Sequence, residues 1–251
     1  VFLLKITLVP LVVWLASMAG RRWGHGATGW ISGLPLISGP ISVFLALDQG
    51  PRFAADAAAM TLQITPAAAL HCFVFAHAAR RLPWWGALLA GWSAFVAAAL
   101  VLGAQPFPPV LTAIAGGLLL ALLLARLPRP AGRAAPAPVP RVELAVRVAM
   151  ALALAALITL GADTFGARLS GVLLAFPITG SVLPAFAAAL YGADATARLL
   201  AGFITGLLAF GVFHLVVALA LPALGPLVTY LVACAAGLAT ATLAARLRVR
   251  S

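Results

Sequence analysis

Charge is what this sequence has least of. Only 8% of its 251 residues are Asp, Glu, Lys or Arg, and just 5 are acidic. No Asp, Glu or Lys falls at the centre of an apolar run. That argues against a cation carrier built on a buried carboxylate and against a proton pump of the rhodopsin design. Cysteine is nearly absent too. Cys72 and Cys234 both lie in apolar runs, where they read as small core residues and not as a disulfide or metal pair. There is no HExxH, no GxSxG, no phosphate-binding glycine loop and no Cys/His cluster, and the loops are too short to hold a soluble catalytic domain. The chain is therefore expected not to be an enzyme and to need neither metal nor cofactor. Short segments with period-two alternation are also missing, which argues against a transmembrane β-barrel.

Apolar residues are abundant: 64% of the chain is hydrophobic, and the mean hydropathy is +1.14. The fold class expected is an all-α polytopic membrane protein. Nine apolar segments can be counted, at 2–19, 29–48, 54–78, 84–103, 107–126, 143–161, 168–191, 196–220 and 224–245. Most are close to the ~20 residues a spanning helix needs. The net charge of +11 comes from basic residues spread between these runs, so topology explains it better than nucleic acid does. Arg21 and Arg22 follow segment one, Arg80 and Arg81 segment three, Arg126, Arg129, Arg133 and Arg141 segment five, and Arg246, Arg248 and Arg250 segment nine. Even-numbered connections carry little or no positive excess. The positive-inside rule then puts the amino terminus outside and the carboxyl terminus in the cytoplasm of a multi-pass inner-membrane protein. Residues 1–20 loosely resemble a signal peptide, but the arginine pair behind them favours a retained first helix.

Pro-rich residues 127–141 form the linker, and they separate a first membrane repeat, 1–126, from a second, 142–251. The two are related. Ala55-Asp56-Ala57 returns as Ala193-Asp194-Ala195, and Ser32-Gly33 as Ser170-Gly171, each 138 residues on. Ile64-Thr65-Pro66 returns as Ile204-Thr205-Gly206, 140 on. Segments two and three then match seven and eight. An odd number of crossings separates the partners, so the repeats are expected to be inverted, five helices followed by four.

The stretch Leu34-Pro35-Leu36-Ile37-Ser38-Gly39-Pro40 carries the functional expectation, together with its counterpart Phe176-Pro177-Ile178-Thr179-Gly180-Ser181. Proline and glycine there interrupt helices that should lie deep in lipid, and such backbone is tolerated only against protein or a cavity. Pro35, Ser38, Gly39, Pro40, Pro177, Thr179, Gly180 and Ser181 are thus candidate substrate-binding residues. Gln63 and Thr65, beside Pro66, and Thr205 are candidates for the same cavity. His71 and His214 are proton-coupling candidates. The plainer alternatives are kinks that serve packing, hydroxyls bonded back to the preceding turn, and neutral histidines on backbone carbonyls. Asp56 and Asp194 read as helix caps. Glu143 and Arg147 read as a pair, or as snorkelling side chains, at the inner surface.

In organisation the chain resembles the small secondary transporters built from inverted repeats, such as the drug/metabolite exporters with their five-plus-five helices. That resemblance is architectural and carries over no residue. It implies alternating access around a central site. The expected cargo is a small anionic or neutral metabolite, and the partners are membrane lipid, that small-molecule substrate and a homodimer mate or membrane-protein partner, with no nucleic acid. The competing expectation is a non-catalytic subunit or scaffold of a larger membrane complex.

Overall fold

The computed structural model describes residues 24–130 and 141–249. The expected first segment, Arg21, Arg22 and most of the Pro-rich linker lie outside those residues. Seven helical stretches follow in order: α1 (Gly24–Ser32), α2 (Ser38–Asp48), α3 (Pro51–Ala78), α4 (Trp84–Leu102), α5 (Pro109–Ala125), α6 (Arg141–Leu174) and α7 (Ile178–Val249). No strand occurs among the described residues. Helical stretches long and apolar enough to cross a membrane are Pro51–Ala78, Trp84–Leu102 and Val142–Ala244.

The last two stretches turn sharply within themselves. Gly166 bends α6, and Gly192 and Gly225 bend α7, with φ of 69°, 80° and 72° and ψ near 180°. That backbone region is essentially reserved for glycine, because a Cβ would collide with the flanking carbonyls. Each glycine ends one rod and starts the next without a loop. The rods are 141–165, 167–174, 178–191, 193–224 and 226–249.

Helix α3 is the central post. It is the most deeply buried of the long helices and packs on α4, α5, α6 and α7. One apolar core joins its Ile64, Cys72 and Phe75 to Phe95 of α4, Leu120 of α5 and Phe203 of α7. A second joins Ile41 and Leu45 of α2 to Ala151 and Ile158 of α6 and to Phe213 and Val217 of α7. Large apolar side chains also stand outward: Leu100 (72% exposed), Val101, Leu118, Leu160 and Leu227. Such an oily exterior suits lipid and not water. Trp84 and Trp85, at the start of α4, are exposed as well.

Two expectations need correcting. Asp56 does not cap a helix: α3 already starts at Pro51, where proline's missing N–H does no harm, so Asp56 sits beyond the first turn. Cys234 is exposed, although Cys72 is fully buried. Glu143 and Arg147 do pair, one of the two arrangements expected of them. The two side chains face each other, Nε to Oε1 at 3.3 Å, and both are buried.

Candidate functional site

Residues 33–37 separate α1 from α2, and residues 175–177 separate the end of α6 from α7; neither stretch is helical. Local chemistry accounts for both. The residue before a proline is pushed out of the α region, which releases Leu34 and Phe176 from the helix. Pro35 and Pro177 then precede a fresh helix start, where the lost donor is harmless.

Both interruptions border one cavity of about 60 Å³. Its wall includes Ser38 from the first turn of α2, Pro177 and Thr179 from the start of α7, and Arg147 from α6. Ser38 is buried, and its hydroxyl meets no hydrogen-bond partner among the described residues. First-turn amides have no acceptor within their own helix. Here several are already used: Gly39 N–H donates to the Pro35 carbonyl at 2.8 Å, Ile41 N–H to that of Ile37 at 3.4 Å and Ile178 N–H to that of Phe176 at 2.9 Å, while Pro40 has none.

The two helix starts are fastened in the same way. Ser42 Oγ, one turn into α2, lies 2.9 Å from the Tyr230 hydroxyl. Trp92 Nε1 donates to Ser181 Oγ, one turn into α7, also at 2.9 Å. In each case the aromatic partner comes from the other side of the Pro-rich linker. Glycine permits equally close approaches just before each interruption. A Cβ on Gly33 would fall on the Phe203 carbonyl oxygen and 2.8 Å from Gly206 Cα. A Cβ on Gly171 would fall on the Ala57 carbonyl oxygen and 2.7 Å from Met60 Cβ. Thr61 Oγ1 donates to the Gly171 carbonyl across that contact, at 3.1 Å.

His71 touches the second helix start. Its Nε2 lies 3.0 Å from the Gly180 carbonyl and 3.4 Å from Ser181 Oγ. A carbonyl only accepts, so Nε2 bears the hydrogen in that contact. His214 is buried farther along α7. Its Nδ1 donates to the Phe210 carbonyl at 2.9 Å, and its ring packs against Phe210 and Phe213.

The other candidates are placed elsewhere. Pro35, Gly39 and Pro40 line a separate cavity of about 360 Å³, walled by Phe213, Tyr230 and Leu238. Thr65 and Pro66 line a third, of about 200 Å³, with Thr112 and Thr240. Thr65 and Thr205 bond back to the carbonyls of Thr61 and Ala201, each at 2.8 Å. Gln63 does not serve the carbonyl freed by Pro66. Its Nε2 donates to the carbonyls of Leu102 and Gln105, and its Oε1 accepts from the Phe107 N–H at 3.2 Å, so it pins the α4–α5 turn.

Sequence reasoning missed Arg147 as a cavity residue, and it missed Ser42, Trp92 and Tyr230 altogether. A signal for the last three was present. Ser42 and Ser181 are 139 apart, and Trp92 and Tyr230 are 138 apart, the spacing already seen for Asp56 and Asp194. Among the described residues, no group of three or more His, Cys, Asp or Glu is placed to hold a metal ion. No family model matches the chain, no curated protein matches it, and no solved structure matches its fold.

Proposed function

We propose that this chain is a small secondary transporter that moves a small anionic or neutral metabolite across the bacterial inner membrane by alternating access. One observation carries the proposal: two non-helical stretches, one from each side of the linker, border a single cavity lined by Ser38 and Thr179. Interrupted helices that meet inside a bilayer protein are a recurrent way of exposing backbone dipoles to a solute.

An inverted repeat accounts for the reciprocal contacts. Segment two packs on segment eight through Gly33 and Gly206, and segment seven packs on segment three through Gly171 and Met60. Segment two bonds segment nine through Ser42 and Tyr230, and segment seven bonds segment four through Ser181 and Trp92. Exchanging two with seven, three with eight and four with nine turns one set of contacts into the other. Nine crossings with the amino terminus outside fit the polar contacts as well. Arg80 bonds the Arg129 carbonyl at 3.2 Å and pairs with Asp194 at 3.8 Å, which joins connections three, five and seven. Arg168 donates to the Gly103 carbonyl at 2.6 Å, which joins connections four and six.

The test is transport by purified protein in proteoliposomes, read by light-scattering swelling across a panel of organic acids, inorganic anions and neutral metabolites. The wild type should pass at least one solute. Ser38→Ala combined with Thr179→Ala should abolish that passage while expression stays unchanged. Undiminished passage in the double variant would remove the proposed site.

A further inference from the structure

We infer that the end of the molecule where connections three, five and seven meet holds the phosphate headgroup of an anionic phospholipid, with Arg80, Arg126 and Arg198 as its recognising side chains and the outward face of α5 as the bed for its acyl chains. The site stands whether or not the chain carries a solute. Three observations converge on it.

The first is an imbalance of charge. Arg80 Nη2 donates to the Arg129 carbonyl at 3.2 Å and lies 3.8 Å from Asp194, so the three connections share one patch. Arg81 adjoins Arg80, Arg126 comes three residues before Arg129, and Arg198 follows Asp194 by one turn on the rod 193–224. The acid in these three connections is Asp194 alone. Arg80, Arg81, Arg126 and Arg129 are all exposed. The other end differs. There Arg168 ties connection six to connection four, and Asp163 and Arg168 cancel. A cluster of about four to eight basic residues beside a membrane helix is the kind of patch that draws anionic headgroups.

The second is a set of unused donors. Both Arg80 contacts run through Nη2, which leaves Nε and Nη1. In Arg198, Nε and Nη1 are buried and meet no hydrogen-bond partner among the described residues. A guanidinium withdrawn from water without an acceptor destabilises the fold. A phosphate supplies several anionic oxygens, and its geometry suits the planar fork of arginine.

The third is what lies next to the charge. Leu111, Ile114, Leu118 and Leu122 are exposed on α5, at the spacing of one helix face. Arg126 continues that face, and its N–H bonds the Leu122 carbonyl at 3.1 Å. From Leu111 to Leu122 the helix rises ~16 Å, against ~15 Å for half of a bilayer's hydrocarbon core. The stripe therefore spans one leaflet and ends at an arginine. A free phosphate would leave it bare, whereas a phospholipid covers it and brings its headgroup to Arg126.

The experiment separates headgroup charge, acyl chain and free anion. The full chain, purified in a neutral non-ionic detergent, is titrated with dioleoyl phosphatidylglycerol, dioleoyl phosphatidylcholine, glycerol phosphate and inorganic phosphate, and thermal unfolding is followed. Phosphatidylglycerol should raise the midpoint saturably, and the other three at matched concentration should not. Arg126→Gln should weaken the apparent affinity for phosphatidylglycerol by about fivefold. Arg198→Gln should weaken it by about tenfold, yet leave the midpoint of the lipid-free protein no lower, since Nε and Nη1 lose no bond within the chain. Arg52→Gln removes an exposed arginine in connection two and should change nothing. Equal responses to the two lipids would mean apolar cover alone, and an equal response to free phosphate would mean a soluble-anion site. An equal loss in Arg52→Gln would mean net charge alone. Any of these, no response to phosphatidylglycerol, or an unchanged affinity in both Arg126→Gln and Arg198→Gln would overturn the assignment.

Discussion

At the scale of single residues, the two serine–aromatic bonds govern how firmly each interrupted helix is held. Tyr230→Phe removes one hydroxyl and leaves Ser42 without its partner; a loss of about 1 kcal/mol of stability is expected. Adding Ser42→Ala to that variant should then change little, because the bond is already gone, and a double-mutant cycle in detergent unfolding reads the difference. Gly91→Ala acts on a different contact. Its Cβ would stand 2.7 Å from His71 Nδ1, so the ring must move and its bond to Gly180 must lengthen. A hydrogen-exchange measurement should show faster exchange around 178–181 in that variant, and unaltered exchange would mean His71 does not brace the helix start. Arg147 illustrates a limit of sequence reading. Positioned two turns into an apolar helix with Glu143 a turn behind, it has the pattern of a surface pair. Only the helices that pack over it make it a cavity residue, and one-dimensional spacing does not encode that cover.

At the scale of elements, the glycine bends decide where the long helices become separate rods. Gly225→Ala places a Cβ at φ 72°, in a region open essentially to glycine alone, and nothing stands within 4 Å of that Cβ to confuse the result with a clash. Destabilisation of about 1–3 kcal/mol is expected, measurable as a lowered unfolding midpoint. Gly117→Ala, also open to 4 Å but in ordinary helix, is the control and should be neutral or slightly stabilising. Helix extents were the most legible part of the chain, since hydropathy alone marks them. The run 84–103 is helix Trp84–Leu102, and 107–126 is helix Pro109–Ala125. The bends were not legible. In a sequence with 23 glycines, those that turn the chain look the same as those that let helices touch, such as Gly33 and Gly206. Pro35 and Pro177 stood out because proline acts through its own covalent ring, whatever surrounds it.

At the scale of the whole molecule, each interrupted segment leans on rods from the opposite side of the linker, through Gly33 against Gly206 and Gly171 against Met60. Neither portion has an intact core alone. Residues 1–133 and 134–251 expressed separately should be degraded, whereas co-expressed they should reassemble and co-purify. Stable accumulation of either fragment alone would contradict this interdependence. The proposed repeat rests partly on the letters of the sequence. Matched spacings such as Asp56 with Asp194 survive in the letters, but the exchange of partners between the halves is a property of three-dimensional packing.

The contact between Gly33 and Gly206 also has a consequence in time. Ribosomes add about 5–20 residues per second, so the groove that receives Gly33 does not exist until roughly ten to thirty seconds after Gly33 itself has been made. During that wait the non-helical, proline-bearing stretch 33–37 lacks the surface it packs against. A surface whose mate is made so late stays open to wrong contacts until the second portion has been synthesised.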